Sequence, residues 1–190
     1  MNKQIKELVM SEQIINKSKF ISFLFPVSSI EEIKTKLAEF KGKYKDSTHI
    51  CYAYILDENI FKYYDDGEPS STAGAPIYQV LKGNNLIYSM CVVVRYFGGT
   101  KLGVGGLIKA YTNGCLDCLN KADSIEYKEL ETCSFITDYA TYEKIEYYLK
   151  TNNVEITNKA FSEEVKITIK IKKESINDLL NTFFNHIKLI

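Results

Sequence analysis

The chain has 190 residues, 45% hydrophobic and 25% charged, a mix that excludes disorder and fibrous repeats and fits one large or two small domains. Its 24 basic and 24 acidic side chains cancel, so no global attraction to nucleic acid or membrane is expected. The longest strongly apolar run, residues 20–27, is too short to span a bilayer. The first ten residues carry Lys3, Lys6 and Glu7 and lack the apolar core of a secretory signal, so a cytoplasmic protein is expected.

Residues 20–25 alternate weakly and stop at Pro26, which predicts a strand closed by a turn. Ser28 and Ser29 offer an N-cap, Glu31 and Glu32 complete a capping-box-like start, and Ile30, Ile33, Leu37 and Phe40 recur at helical spacing up to Gly42. Two Tyr/Ile-rich strands follow at residues 49–56 and 60–64, joined by Asp57-Glu58-Asn59. After the Asp65-Asp66-Gly67-Glu68-Pro69 turn comes a short helix over 73–81. The unbroken apolar run within 87–96 then reads as a strand buried on both faces. Residues 98–106 are glycine-rich and predict a loop, and 107–119 a helix with Leu107, Ala110, Tyr111, Cys115, Cys118 and Leu119 on one stripe.

Near residue 123 the texture changes. Strand 126–135, helix 139–149, strands 154–161 and 165–171 and helix 175–187 give the β-α-β-β-α order of a ferredoxin-like unit. Val165, Ile167, Ile169 and Ile171 alternate with Lys and Thr, so that strand should have one wet face. The expectation is an α+β protein with domains at 1–123 and 124–190.

Charge is uneven within the first half. The 48 residues between Glu68 and Asp117 hold no carboxylate side chain, yet they keep Lys82, Arg95, Lys101 and Lys109, which points to a local anion-binding surface. Arg95 is the only arginine. Its planar fork suits bidentate phosphate or carboxylate recognition, or an internal pair with Asp65, Asp66 or Glu68. Gly98, Gly99, Gly103, Gly105 and Gly106 lie between a buried strand and a helix, where backbone N–H groups could face an oxyanion. The phosphate templates fail, however: a P-loop needs Lys-Ser/Thr where Val104 follows Gly103, and a dinucleotide fingerprint needs Gly where Ile108 stands. Ser70, Ser71 and Thr72 could donate hydroxyls to the same anion or cap the next helix.

Asp65, Asp66 and Glu68 could hold Mg²⁺, but the spacing fits a turn better, and no metal or cofactor is expected. His49 has no identifiable nucleophile beside it and reads as structural. Cys115 and Cys118 form a C-x-x-C with no second ligand pair, so the five cysteines read as reduced side chains rather than a zinc or disulfide site.

Asp65-Asp66-Gly67-Glu68-Pro69-Ser70-x-Thr72-Ala73-Gly74-x-Pro76, followed by Val92-Val93-Val94-Arg95-Tyr96-Phe97-Gly98-Gly99-x-Lys101-Leu102-Gly103-x-Gly105-Gly106-Leu107 and Ala110-Tyr111, closely resembles the signature of the IMPACT family. His49-x-Cys51-Tyr52-Ala53-Tyr54 is similar to the preceding strand of that family, and the two-domain layout resembles its bacterial YigZ branch. Ser71 stands where the family usually has Gly, and Lys109 where it usually has Arg. The resemblance implies a first domain like the second domain of ribosomal protein S5, with a left-handed β-α-β crossover, and a second like the ferredoxin-like domains of elongation factor G. It further implies ribosomes and RNA, or a protein partner as for the translational regulators among eukaryotic members, and attaches no enzymatic activity. The leading expectation is therefore a translation-associated protein contacting RNA or the ribosome through the basic glycine-rich face. The alternatives are a small phosphorylated-ligand enzyme or sensor and a protein–protein adaptor.

Overall fold

The computed structural model describes residues 2–127 and 130–190 and divides into two compact units, Met1–Tyr127 and Lys128–Ile190. In the first unit a five-stranded antiparallel sheet is ordered β2 (Val9–Ile15), β3 (Ser18–Pro26), β6 (Ser89–Tyr96), β4 (His49–Ile55) and β5 (Phe61–Tyr64). The β6 run Met90-Cys91-Val92-Val93-Val94 is fully buried, as a central strand with both faces covered must be. Its even positions Met90, Val92 and Val94 pack with Phe23, Tyr52 and Phe40 beneath α1 (Ile30–Lys43). Its odd positions Cys91 and Val93 pack with Phe20, Leu24 and Ala53 beneath α2 (Gly74–Gly83) and α3 (Gly103–Lys121).

Because β3 and β4 each run antiparallel to β6, they run parallel to each other, and α1 connects them across β6. Ser29 caps α1 by accepting from the Glu32 N–H at 3.2 Å, while the Glu32 carboxylate accepts from the Ser28 backbone and hydroxyl at 2.8 and 2.7 Å. That helix runs through Gly42 to Lys43 and is capped at Tyr44, one turn-position later than the glycine suggested. Two short strands close this unit: β1 (Lys3–Ile5) pairs antiparallel with β7 (Ser124–Glu126) and buries Ile5. The sequence expectation placed 124–126 in the second domain. Pairing with β1 instead holds these residues in the first.

The second unit runs β8 (Leu130–Thr137), α4 (Tyr139–Thr151), β9 (Glu155–Phe161), β10 (Val165–Lys172), α5 (Lys173–Thr182) and β11 (Lys188–Leu189). The sheet order is β11-β8-β10-β9, antiparallel throughout. The β10 alternation is realised: Val165, Ile167, Ile169 and Ile171 are buried with Phe135, Ile145, Leu149 and Leu179, and the intervening positions are not. Helix α5 stops at Thr182 rather than running to 187, and the last residues form β11.

Candidate functional site

The acidic turn after β5 spends all three of its carboxylates on the protein itself. Asp65 accepts from the backbone N–H groups of Ala73 and Gly74 at 3.0 and 2.8 Å and from that of Ser71 at 2.8 Å. It thereby supplies the first turn of α2 with the cap that Ser70, Ser71 and Thr72 do not provide. Asp66 accepts from the Ile50 N–H at 2.7 Å, and its carbonyl accepts from His49 Nδ1 at 2.7 Å. A carbonyl can only accept, so Nδ1 is the donor of that bond, and Nε2 faces Glu68 Oε2 at 3.9 Å.

Glu68 is the centre of a buried polar knot. Its side chain is 3% exposed, and Oε1 accepts from Arg95 Nη1 at 2.6 Å and from the Tyr111 hydroxyl at 2.7 Å. Cys51 Sγ donates to the Tyr111 oxygen at 3.4 Å and lies 3.0 Å from the Asp65 carbonyl. Burial pushes both the Cys51 thiol and the Tyr111 hydroxyl well up, so both are neutral at ordinary pH. The Arg95 guanidinium lies 5.3 Å from the Phe20 ring and 5.5 Å from the Phe97 ring, with Nη2 3.4 Å from Ser18 Oγ. Of the two roles the sequence left open for the single arginine, the structure has the internal one: Arg95 is 4% exposed and paired with Glu68.

The glycine-rich segment divides into two kinds of residue. Gly98 crosses the β2–β3 hairpin, where a Cβ would lie under 3.0 Å from the Lys17–Ser18 backbone, and its N–H donates to Ser18 Oγ at 3.1 Å. Gly103, Gly105 and Gly106 are not loop residues: α3 begins at Gly103, four residues earlier than the hydrophobic stripe suggested. Gly99 and Gly103 have φ of +86° and +71°, which glycine adopts without strain and which turns the chain into that helix. The N-cap residue Leu102 makes no side-chain cap, and the first turn carries no acid, so the leading N–H groups meet no side-chain acceptor. Lys101 and Lys109 are exposed on either side of this turn. Lys82 is exposed in the last turn of α2, on a different helix from Lys109.

Ser70 and Ser71 are exposed, whereas Thr72 is buried and donates to the Pro69 carbonyl at 2.6 Å. Ser71 has φ of +61°, a left-handed conformation that glycine adopts more readily than serine. It also lines an open groove of about 410 Å³ between α2 and α3, bounded by Pro76, Val80, Ile108 and Thr112. Cys115 and Cys118 both face the core, with Cys91 hydrogen-bonded to Cys115, and burial raises the Cys118 thiol to about 12. Among the described residues no cluster of three or more His, Cys, Asp or Glu is placed to hold a metal ion. Sequence reasoning gave Tyr111 a place on a helix stripe and in the motif but no partner, and it gave Ser18 no role, because their partners lie 43 and 77 residues away.

Residues 16–119 match the Impact N-terminal domain, and residues 135–185 match a domain of unknown function, DUF1949. The chain is 38% identical over 175 residues to the IMPACT family member YvyE of Bacillus subtilis (strain 168), covering 91% of this chain and 81% of that protein. It is 30% identical over 161 residues to the IMPACT family member YigZ of Escherichia coli (strain K12), covering 83% and 79%. A solved structure described as the crystal structure of a hypothetical protein superposes with a TM-score of 0.72 at 26% identity, covering 100% of this chain and 97% of that one. On these matches, and on the motif whose geometry is given above, the chain belongs to the IMPACT family.

Proposed function

We propose that this protein is a translation-associated binding protein of the cytoplasm. It contacts RNA or the ribosome through the α2–α3 side of its first unit, and Lys101, Lys109 and the leading turn of α3 make the phosphate contacts. The observation that carries this reading is the disposition of charge. Across the 48 residues without a carboxylate, Arg95 is drawn inward to Glu68, while Lys82, Lys101 and Lys109 stand exposed with no ion pair among the described residues. The uncapped N–H groups of the first turn of α3, which follow directly on Lys101, favour an oxyanion. On this reading the first unit is an S5 domain 2-like fold, supported by the β3-α1-β4 crossover around β6. The second is a ferredoxin-like fold similar to those of elongation factor G, supported by its β-α-β-β-α-β order. Among the described residues no helix is long and apolar enough to cross a membrane.

The test is an anisotropy titration of labelled ribosomal RNA over a range of salt, comparing wild type with K101Q/K109Q. Two lost contacts should flatten the log–log salt dependence by about 1.4 on single strands. Wild-type slope in the double variant would refute the assignment. A protein–protein adaptor is the second reading, favoured by the apolar groove that Pro76, Val80 and Ile108 form. Under that reading Ile108→Asp abolishes partner capture while K101Q/K109Q leaves it intact.

A further inference from the structure

The sheet of the second unit has a face that its own helices leave open. Residues directly opposite one another in antiparallel strands lie on one side of the sheet, so the register defines the face. Lys166, Thr168, Lys170 and Lys172 of β10 stand opposite Ile136, Ser134, Thr132 and Leu130 of β8. Lys188 of β11 stands opposite Ile136 from the other side. The reverse face holds Val165, Ile167, Ile169 and Ile171 against Ile145 and Leu149 of α4 and Leu179 of α5, so both helices are committed there.

Four lysines thus occupy one sheet face: Lys166, Lys170 and Lys188 exposed, Lys172 partly so. Among the described residues none of the four has an ion-pair partner, whereas Lys150 and Lys159 pair with Glu146 and Lys173 pairs with Glu131. Among the described residues, the one carboxylate that the register puts on the open face is Glu155, opposite Lys170 at the start of β9. Between the lysines stand hydroxyls, with Ser134 and Thr168 hydrogen-bonded to each other at 2.9 Å. Lys166, Lys170 and Lys172 project from a single strand at intervals of roughly 13 and 7 Å.

We propose that this face is a second nucleic-acid contact surface, binding the phosphate backbone of single-stranded RNA independently of its base sequence. Charge complementarity calls for a polyanion, and the composition selects nucleic acid over an acidic protein. Protein interfaces are built around an apolar, well-packed core with few lysines, whereas nucleic-acid interfaces are polar and strongly positive. Here the centre of the face is lysine and hydroxyl, with Leu130 and Ile136 the large apolar side chains that flank it. No aromatic ring stands on the face among the described residues of β8, β10 and β11. Bases therefore have nothing to stack on, and the contact is to phosphate and sugar, which carries no sequence information.

The surface is separate from the one assigned to Lys101 and Lys109, and the experiment keeps the two apart. A labelled single-stranded RNA of mixed sequence is titrated over a salt series with wild type, K166T/K170T/K172T, Lys188→Gln, K101Q/K109Q, and the charge-matched control K34Q/K41Q/K45Q. Threonine is chosen on β10 because it favours an exposed strand position, and circular dichroism confirms the fold. The expected result is a salt slope smaller by about 2 in the triple β10 variant and by about 0.7 in Lys188→Gln, with the control at the wild-type slope. A β10 variant that binds with the wild-type slope, while K101Q/K109Q loses its share, overturns this proposal and leaves the first-unit site standing. No RNA binding by wild type overturns both. Capture of a polyglutamate peptide that is lost in the β10 variant, with RNA binding unchanged, also overturns it in favour of an acidic protein partner.

Discussion

The five-stranded sheet of the first unit is covered on both faces, and the one arginine it carries is 4% exposed, clasped by Glu68 and flanked by two phenylalanine rings. The four-stranded sheet of the second unit is covered on one face, and on the other its lysines stand without partners among the described residues. Arg95 of the first sheet is held within the interior by a matching carboxylate, so its removal should cost folding. A cation on the second is solvated, so its removal should cost association and leave folding nearly untouched. A basic residue inside a family motif is thus not by that fact a ligand-binding residue.

The sharpest way to break this comparison is to remove one member of the buried pair. Glu68→Ala leaves the guanidinium of Arg95 and the hydroxyl of Tyr111 without their shared acceptor, and Arg95→Ala leaves the carboxylate buried alone. Each should destabilise the first unit by about 3–5 kcal/mol, read as a fall in the urea midpoint. Arg95→Lys should recover part of the loss, since it restores charge but not the planar fork that reaches Glu68 and Ser18 together. By contrast, K166T/K170T/K172T should change stability by no more than about 0.5 kcal/mol per site. If Arg95→Ala kept the wild-type midpoint and lost RNA binding instead, the two sheets would be alike and the contrast would fail.

Why the sequence could show one half of this contrast and not the other follows from range. The β10 alternation and the apolar β6 run are local patterns with periods set by the strand itself, so they predict both the wet face and the central strand. The Glu68–Arg95 bond spans 27 residues and the Tyr111–Glu68 bond 43, and three acidic candidates near Arg95 looked equivalent until Asp65 and Asp66 were engaged by backbone N–H groups. The β1–β7 pairing joins strands about 120 residues apart, three residues each, too short to leave a pattern. The start of α3 was hidden for another reason. Glycine has the weakest helix propensity of the residues with a free N–H, so Gly103, Gly105 and Gly106 read as loop although packing of Leu107, Ala110 and Tyr111 carries the helix through them.

Those glycines offer a second, smaller test within the same motif. Gly98→Ala forces a Cβ into the backbone of Lys17 and Ser18, atoms that cannot rotate away, and should cost about 3 kcal/mol. Gly105 lies within α3 with no heavy atom near its missing Cβ, so Gly105→Ala should raise stability by about 0.5–1 kcal/mol. A thermal melt of the two variants separates them by sign. If Gly105→Ala also weakens RNA binding while stabilising the fold, the absent side chain is what lets a phosphate approach the leading turn of α3. If binding is unchanged, that glycine serves neither packing nor contact.

The smallest expected effect concerns two carboxylates of the second unit, Asp138 exposed and Glu146 partly so, which are paired near the surface. Glu146 accepts from Lys159 and from the Tyr142 hydroxyl, and the Lys159 contact foremost holds its carboxyl down at about 2. Asp138, which caps α4 by accepting from the Thr141 N–H at 2.7 Å, is lowered by that bond in the same way. A carboxyl whose folded value lies below its ordinary value of 4.5 stabilises fully above that ordinary value. The stabilisation fades as pH falls from there toward 2, because the folded form must then take up the proton that the unfolded chain already binds. Glu146→Gln should flatten the loss of thermal stability between pH 5 and about 3, and raised salt should shrink the difference from wild type, since both charges are partly exposed to solvent. Among the described residues the open-face lysines have no such partners, so K166T/K170T/K172T should leave this acid profile where it was. A shift of that profile in the β10 variant would mean that those lysines are paired in solution and are not free to meet phosphate.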